Sequence, residues 1–290
     1  MANISSPLVS IIIPCYNGEL TIVETLESVI GQTYNNIEVL VINDGSTDAT
    51  IDILEGYKNN YEHISVFNQL NKGLPASRNA GFRLSKGKYV VFLDADDLLD
   101  ESFVKACISE FYKDESLSVV YTQTQFFERE TGIFKLPELS MKKLLVGNCL
   151  TATAMIKSSL FKDVGMYDER LNYAEDWEIW IRLFSKYPNF FKIERPLFLY
   201  RRRNSRDSMT DLNKVNKMEE EAKIYIYNKH YNLYKLQGMG LEPLINAYLE
   251  IPYYERIRMK YYNEWYRKIL YKFFRPKKYK DIYKTDYKGN

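Results

Sequence analysis

Cysteine is scarce in this 290-residue chain, and the three present, Cys15, Cys107 and Cys149, lie too far apart for a CxxC pair or a dense disulfide framework. Such a set reads as reduced thiols in a cytosolic protein, packed rather than reactive. Glycine (13) and proline (9) are too few for a collagen-like or low-complexity chain. Excess charge of either sign is missing too: 40 basic against 38 acidic side chains leave +2, with 46% hydrophobic and 15% aromatic residues. That balance excludes disorder and removes the broad electrostatic footprint of a dedicated nucleic-acid binder. The N-terminus shows no basic segment followed by an apolar stretch and a cleavage site. Its first apolar run, Leu8–Ile13, is broken by Ser10 and stopped by Pro14, and no window nears the roughly 20 apolar residues that cross a bilayer. The expectation is a cytoplasmic protein, soluble or peripheral at a membrane. Its length suits one large domain, or one domain with an appendage.

The first hundred residues alternate between strand-like and helix-like patterns. Short β-branched or apolar runs at Leu8–Ile13, Ile37–Ile42, Ile64–Phe67 and Tyr89–Leu93 predict strands. Helices are expected at Glu19–Ile30, Thr47–Tyr57, Leu74–Ser85 and Glu101–Tyr112. This alternation predicts an α/β fold, a mainly parallel sheet flanked by helices on both faces. Further on, Val119–Phe127, Ala152–Ile156 and Pro196–Tyr200 look like strands and Asp176–Ser185 like a helix. Past residue 210 the pattern becomes helical, at Lys214–Tyr227, Leu241–Leu249 and Tyr254–Phe273. Two parts are therefore expected: residues 1–210 as an α/β catalytic domain and 211–290 as a C-terminal helical extension.

Polar clusters fall at the carboxyl ends of the expected strands, where α/β sheets bind ligands. They are Pro14-Cys15-Tyr16-Asn17-Gly18, Asn43-Asp44-Gly45-Ser46-Thr47-Asp48, Asn71-Lys72-Gly73 with Arg78-Asn79, and Asp94-Ala95-Asp96-Asp97. Asp44-Gly45 is equally compatible with a tight turn and helix cap. The Asp94–Asp97 group is harder to treat as a turn. It crowds carboxylates behind the apolar run Tyr89–Leu93, which favours a hard cation such as Mg2+ or Mn2+ held with substrate phosphates. Lys72 and Arg78 on the same rim fit a diphosphate.

Together with Tyr173-Ala174-Glu175-Asp176-Trp177-Glu178, which looks like an ED motif, these clusters resemble the family 2 glycosyltransferases in order and spacing, over about residues 7–200. The resemblance implies a GT-A fold and an inverting, metal-dependent transfer of a sugar from a nucleotide diphosphate. By position, Pro14 and Tyr16 would line the base pocket and Asp44 would accept from the base. Lys72 and Arg78 would lie near base and diphosphate, and Asp94 would face the ribose. Asn17 and Ala95 complete the nucleotide-sugar set. Asp96 would hold Mn2+ or Mg2+, and Asp176 would be the general base. Glu175, Trp177 and Arg203 fall to the acceptor or the diphosphate. One departure stands out: the family often has Tyr-Arg-x-His after the ED motif, whereas here Tyr200-Arg201-Arg202-Arg203 puts Arg203 in the histidine's place. The only histidines, His63 and His230, lie outside the motifs. Arg203 cannot ligate a metal, but its planar fork of donors suits a diphosphate.

The near-neutral total hides an uneven distribution. Residues 253–290 carry twelve Lys/Arg and four Asp/Glu, a net of +8, leaving −6 on the rest. The same segment holds twelve aromatics, and Ile257, Tyr261, Trp265, Ile269 and Phe273 recur every four residues. A basic helix with an aromatic stripe is the pattern of an interfacial segment for an anionic membrane surface; packing on the catalytic domain or in an oligomer is equally compatible. The functional expectation is an inverting glycosyltransferase taking a nucleotide diphosphate sugar, UDP-linked, to a glycan or lipid-linked acceptor, with no nucleic-acid partner. Two rivals are a catalytically weak scaffold and a sugar-1-phosphate nucleotidyltransferase. The second would need a Gly-rich basic loop after the first strand, where Pro14–Gly18 has one glycine and no basic residue.

Overall fold

The structure is a computed structural model that describes residues 6–205, 218–241 and 265–277. Its first half follows strand–helix alternation: β1 (Val9–Cys15), α1 (Ile22–Ile30), β2 (Ile37–Asn43), α2 (Thr50–Asn60), β3 (Ile64–Asn68), α3 (Leu74–Leu84) and β4 (Tyr89–Phe92). β1 is buried at every residue, and its two neighbours, β2 and β4, both run parallel to it. A strand covered on both faces reads as a continuous apolar run, which is what VSIIIPC shows. Gly81 lets α3 press onto this centre: a Cβ there would lie 2.4 Å from Ile12 Cγ2.

The second half comprises β5 (Leu98–Leu99), α4 (Phe103–Lys113), β6 (Val119–Glu128), β7 (Gly132–Phe134), α5 (Met141–Val146), β8 (Met155–Lys157), α6 (Ser158–Asp163), α7 (Glu175–Lys186) and β9 (Phe190–Arg202). The sheet order is β3-β2-β1-β4-β8-β6-β9-β5, with β7 pairing β6. Long parallel ladders carry the sheet, including β6 with β9, while β8, β5 and β7 add short antiparallel pairs. The mainly parallel α/β architecture expected from the sequence is the one observed. β9 runs well beyond the expected Pro196–Tyr200. Its register slips where Ile193 faces Thr122 and Pro196 faces Gln123, a bulge at the proline that cannot donate to the ladder. The two-residue β5, the three-residue β7 and the six-residue α5 and α6 are too short to leave a periodicity.

Two compact units divide the chain, residues 1–229 and 230–290. The sequence boundary at 210 and the expected helix Leu241–Leu249 fall essentially outside the described residues. A helix at Met218–Lys229 belongs to the first unit. It is fastened there by Lys229, whose Nζ reaches Asp168 Oδ2 and Glu178 Oε1, each at 2.7 Å. Tyr225 donates to the same Asp168 oxygen at 2.7 Å. The second unit contributes helices at Tyr231–Leu236 and Trp265–Phe274. No described helix is long and apolar enough to cross a membrane. Cys15, Cys107 and Cys149 are buried and form no disulfide.

Candidate active site

The carboxyl ends of β1, β2 and β4 open onto a cavity of about 840 Å³. Loop ends are tied together there by backbone hydrogen bonds: Asp44 N–H to Cys15 O at 2.8 Å and Gln69 N–H to Asn43 O at 3.0 Å. Of the residues singled out in the sequence, Pro14, Tyr16, Asp44, Arg78, Asp94, Ala95, Asp96, Glu175, Asp176, Trp177 and Arg203 line this cavity. Two do not. Asn17, in the left-handed region (φ 50°), accepts from Thr47 N–H at 2.8 Å and so couples the first loop to the second. The Lys72 side chain is exposed and off the cavity wall, which its neighbours Asn71 and Gly73 form instead.

Asp44 is buried and shapes the wall. Its Oδ1 accepts from Gln69 Nε2 at 2.7 Å and Lys72 N–H at 2.9 Å, and its Oδ2 from Gly73 N–H at 2.9 Å. Gly73 sits at φ +87°, a conformation that favours glycine, and leads directly into α3. The turn reading of Asp44 and the binding reading thus coexist: its carboxylate folds the next loop while facing the cavity.

Arg78 stands at the centre of the charge network and is almost wholly buried. One guanidinium nitrogen, Nη1, pairs with Glu175, and the other, Nη2, with Asp94 Oδ1 at 2.6 Å. The guanidinium also sits 5.3 Å from the Tyr167 ring centroid. One side chain from α3 therefore joins the end of β4 to the start of α7. Charges taken this far from water are tolerated only when paired.

At the end of β4 the remaining carboxylates have partners of their own. Asp97 accepts from Arg201 N–H at 2.8 Å, and burial, then its acidic neighbours Asp96 and Asp94, push its carboxyl well above the usual range. Asp96 Oδ2 takes Arg203 Nε at 2.9 Å and Nη2 at 2.8 Å. Burial and Asp94 push Asp96 up as well, while Arg203 pulls it down. Arg201 ties this loop to β9, donating to Asp96 O at 2.7 Å while pairing with Glu24 and Glu128.

Glu175 and Asp176 open α7, and the residue before them, Ala174, is held at φ 61°, an uncommon backbone for a residue with a Cβ. Asp176 Oδ1 accepts from the Trp177 N–H at 2.7 Å, and Oδ2 from Asn148 Nδ2 at 2.8 Å. Burial, followed by the Glu175 charge, pushes the Asp176 carboxyl up to about 7, although Arg78 and the two hydrogen bonds oppose the shift. A carboxylate poised near neutrality can take a proton, the property required of a general base. The helix dipole favours the charged form, but burial outweighs it here.

Asn148, Arg201 and Asp97 were not picked out as site residues from the sequence. Asp97 carried a signal, being the last member of the acidic cluster. Arg201 sat in the basic run beside Arg203. Asn148 carried none, since it follows the short α5 in a region without periodicity. Across the cavity, Phe126, Phe134 and Tyr200 form an aromatic wall, with Phe126 and Phe134 centroids 4.7 Å apart.

Comparison with known proteins agrees with the fold. The family model described as Glycosyl transferase family 2 matches residues 10–165. Chondroitin synthase of Escherichia coli is 34% identical over 181 residues, 61% of this chain and only 26% of that protein. An uncharacterized glycosyltransferase of Rickettsia typhi is 32% identical over 229 residues, 75% of this chain and 71% of that protein. The chain thus spans about a quarter of the synthase but most of the rickettsial protein. Among solved structures, S. aureus TarS 1-349 in complex with UDP-GlcNAc superimposes with a TM-score of 0.60 at 24% identity, covering 68% of this chain and 59% of that one. The mannosyltransferase PcManGT of Pyrobaculum calidifontis, in complex with GDP-Man and Mn2+, gives 0.53 at 18%, covering 68% and 56%. Both share the GT-A type of fold. By the extent of the family match and of the rickettsial alignment, the chain belongs to glycosyl transferase family 2.

Proposed function

We propose that this chain is an inverting glycosyltransferase that moves a sugar from a UDP-linked donor to a hydroxyl of a glycan or lipid-linked acceptor. The observation that carries the reading is Asp176: a carboxylate on the cavity wall, poised near pH 7 and held at both oxygens. Inversion by single displacement needs one group to remove the acceptor proton as the anomeric carbon is attacked, and Asp176 has the acidity for it. TarS, similar in fold, was solved in complex with UDP-GlcNAc, which supports a uridine nucleotide as the donor group; the Pro14–Tyr16 and Asp44 side of the cavity would take it. The aromatic wall of Phe126, Phe134 and Tyr200 offers apolar faces for a sugar ring of the acceptor.

A divalent cation fits the donor set at the end of β4. Asp96, with Asp94 beside it, supplies one or two hard oxygen ligands, and substrate phosphates would complete the shell. No group of three ligating side chains converges among the described residues, so the phosphates are essential to that fit. Such a cation, when bound, supplies charge stabilisation for the departing nucleoside diphosphate. The Mn2+ found with GDP-Man in PcManGT supports this choice of ion.

The second unit supports a peripheral role at an anionic membrane surface. Its helix Trp265–Phe274 exposes Trp265, Ile269, Leu270, Phe273 and Phe274 beside Arg267 and Lys272. Ile257 and Tyr261 of the same stripe lie outside the described residues. The test of the whole reading is a thermal-shift screen of nucleotide sugars with Mn2+, followed by product analysis with the donor that stabilises most. No stabilisation by any UDP-sugar would refute it.

A further inference from the structure

Beside the large cavity lies a second pocket of about 310 Å³, a volume within the ~300–1,000 Å³ of small-molecule sites. Two elements of the first unit build it. The segment ahead of α7 supplies Arg170, Asn172 and Tyr173, and the helix Met218–Lys229 supplies Glu221, Ala222 and Tyr225. The same two elements also wall the large cavity. Tyr173 borders both spaces. The helix turns Glu219 and Lys223 to the cavity, while Glu221, Ala222 and Tyr225 sit on its adjoining face. The two spaces therefore share a wall close in sequence to Asp176.

The chemistry of the second pocket suits a sugar better than an anion. Arg170 is already neutralised: its Nε and Nη2 fork onto Asp168 Oδ1 and Oδ2, each at 2.9 Å. Its guanidinium also lies 5.3 Å from the Tyr225 ring centroid, and Tyr225 donates to Asp168 Oδ2 at 2.7 Å. One carboxylate thus fixes both side chains before any ligand arrives, so little ordering cost remains for binding. Asn172 and Glu221 are exposed and make no hydrogen bond or ion pair among the described residues. A donor-only guanidinium, an acceptor-only carboxylate and an amide that does both match hydroxyls, which donate and accept. Tyr173 and Tyr225 add aromatic surface for the C–H face of a sugar ring.

We propose that this pocket is an acceptor subsite. It holds the second sugar of an oligosaccharide whose terminal sugar lies in the large cavity with its hydroxyl at Asp176. This rests on the reading of the large cavity as the place of sugar transfer. A glycan acceptor has to leave that cavity past one of its walls, and the wall at Tyr173 adjoins a space furnished with partners for hydroxyls. A single sugar on a lipid diphosphate would instead bring its negative charge to this pocket, against Glu221 and with Arg170 already paired. The subsite therefore selects acceptors of two or more sugar units.

An acceptor-length series tests this. Linear mono-, di- and trisaccharides of hexoses, N-acetylhexosamines and hexuronic acids are incubated with the full chain, Mn2+ and radiolabelled UDP-sugars, and transfer is read as kcat/KM. For a terminal sugar that takes label, kcat/KM should rise about tenfold from mono- to disaccharide, through KM, because the pocket's hydrogen bonds and ring contacts are gained. In the double variant Asn172→Ala with Glu221→Ala that gain should shrink to about threefold or less. Both side chains are exposed, and the length series of the unaltered protein decides the matter even without the variant. Failure of UDP with Mn2+ to bind the unaltered protein overturns the reading of the large cavity and the subsite with it. Where UDP binds, three results overturn the subsite alone: equal use of mono- and disaccharides, no transfer to any member of the series, or a double variant that keeps the full gain.

Discussion

Asn148 donates its side-chain amide to Asp176 Oδ2 at 2.8 Å, across 28 residues of sequence. Its own Oδ1 has no hydrogen-bond partner among the described residues, so the amide is committed on one side only. The bond stabilises the charged form of a carboxyl that burial and Glu175 push up to about 7. Removing the donor removes an opposing influence, so the proton is held more tightly. Asn148→Ala should therefore move the acidic limb of the kcat/KM profile to higher pH, and Asn148→Asp further still. An unmoved limb with lowered kcat would assign Asn148 to packing instead.

Asp176→Asn tests the base and carries a stability signature. Loss of general base catalysis should lower kcat by about 10²–10⁴-fold, while UDP affinity with Mn2+ stays nearly intact. The folded-state acidity of Asp176 lies above the ordinary value of 3.8, at about 7. A carboxyl shifted this way contributes stability at low pH that is lost as pH rises through 7. Asparagine has no charge to bury. The variant should melt higher than the parent at pH 8, and the gap should shrink towards pH 5. A lower melting temperature at pH 8 would contradict the burial argument.

Arg78 makes the third case, because its two partners belong to two different motifs. Arg78→Met strands Asp94 and Glu175 together and should destabilise the fold by about 3–5 kcal/mol in urea titrations. Adding Asp94→Asn and Glu175→Gln removes the stranded charges and should recover most of that loss, without activity. If the triple variant is no more stable than the single one, the ion network is not what holds α3 against α7.

How far the sequence reached depends on where the physics is local. The buried strands β1, β2 and β4 announce themselves because a strand covered on both faces must be apolar throughout. The cavity lies where their ends meet loops, so Asp44, Asp94 and Asp96 could be placed on it from position alone, whereas Asp176, at the start of α7, came only with the resemblance to the family's ED motif. What each does there could not. Asp44 spends its oxygens on the amides of a loop 28 residues away, and Arg78 is clamped between carboxylates rather than facing solvent. Those are long-range pairings that no periodicity records. Asn17 and Lys72, assigned to nucleotide-sugar binding by motif membership, lie off the cavity wall: Asn17 braces a turn and the Lys72 backbone donates to Asp44. β5 and β7 were invisible because two or three residues cannot establish alternation.

Lys229 ties the helix Met218–Lys229 to the α/β body through Asp168 and Glu178, and Glu219 and Lys223 of that helix reach the cavity wall. Burial opposes the Asp168 charge, but hydrogen bonds from Arg170, Lys229 and Tyr225 outweigh it and hold the carboxyl well below the usual range. A carboxyl depressed in this way contributes stability above its unfolded value and loses it as pH falls. The helix should accordingly loosen below about pH 4, before global unfolding, and protease cleavage near residue 218 is the measurement. Lys229→Met should produce the same cleavage at neutral pH, since it leaves Asp168 short of one donor and Glu178 short of one cation. It should also raise the KM for acceptor more than it lowers kcat, because the moving helix carries cavity residues without carrying Asp176. Equal cleavage of parent and variant at pH 7 would show that the apolar contacts of Ala222 and Ile226, both buried, hold the helix without the ion pairs.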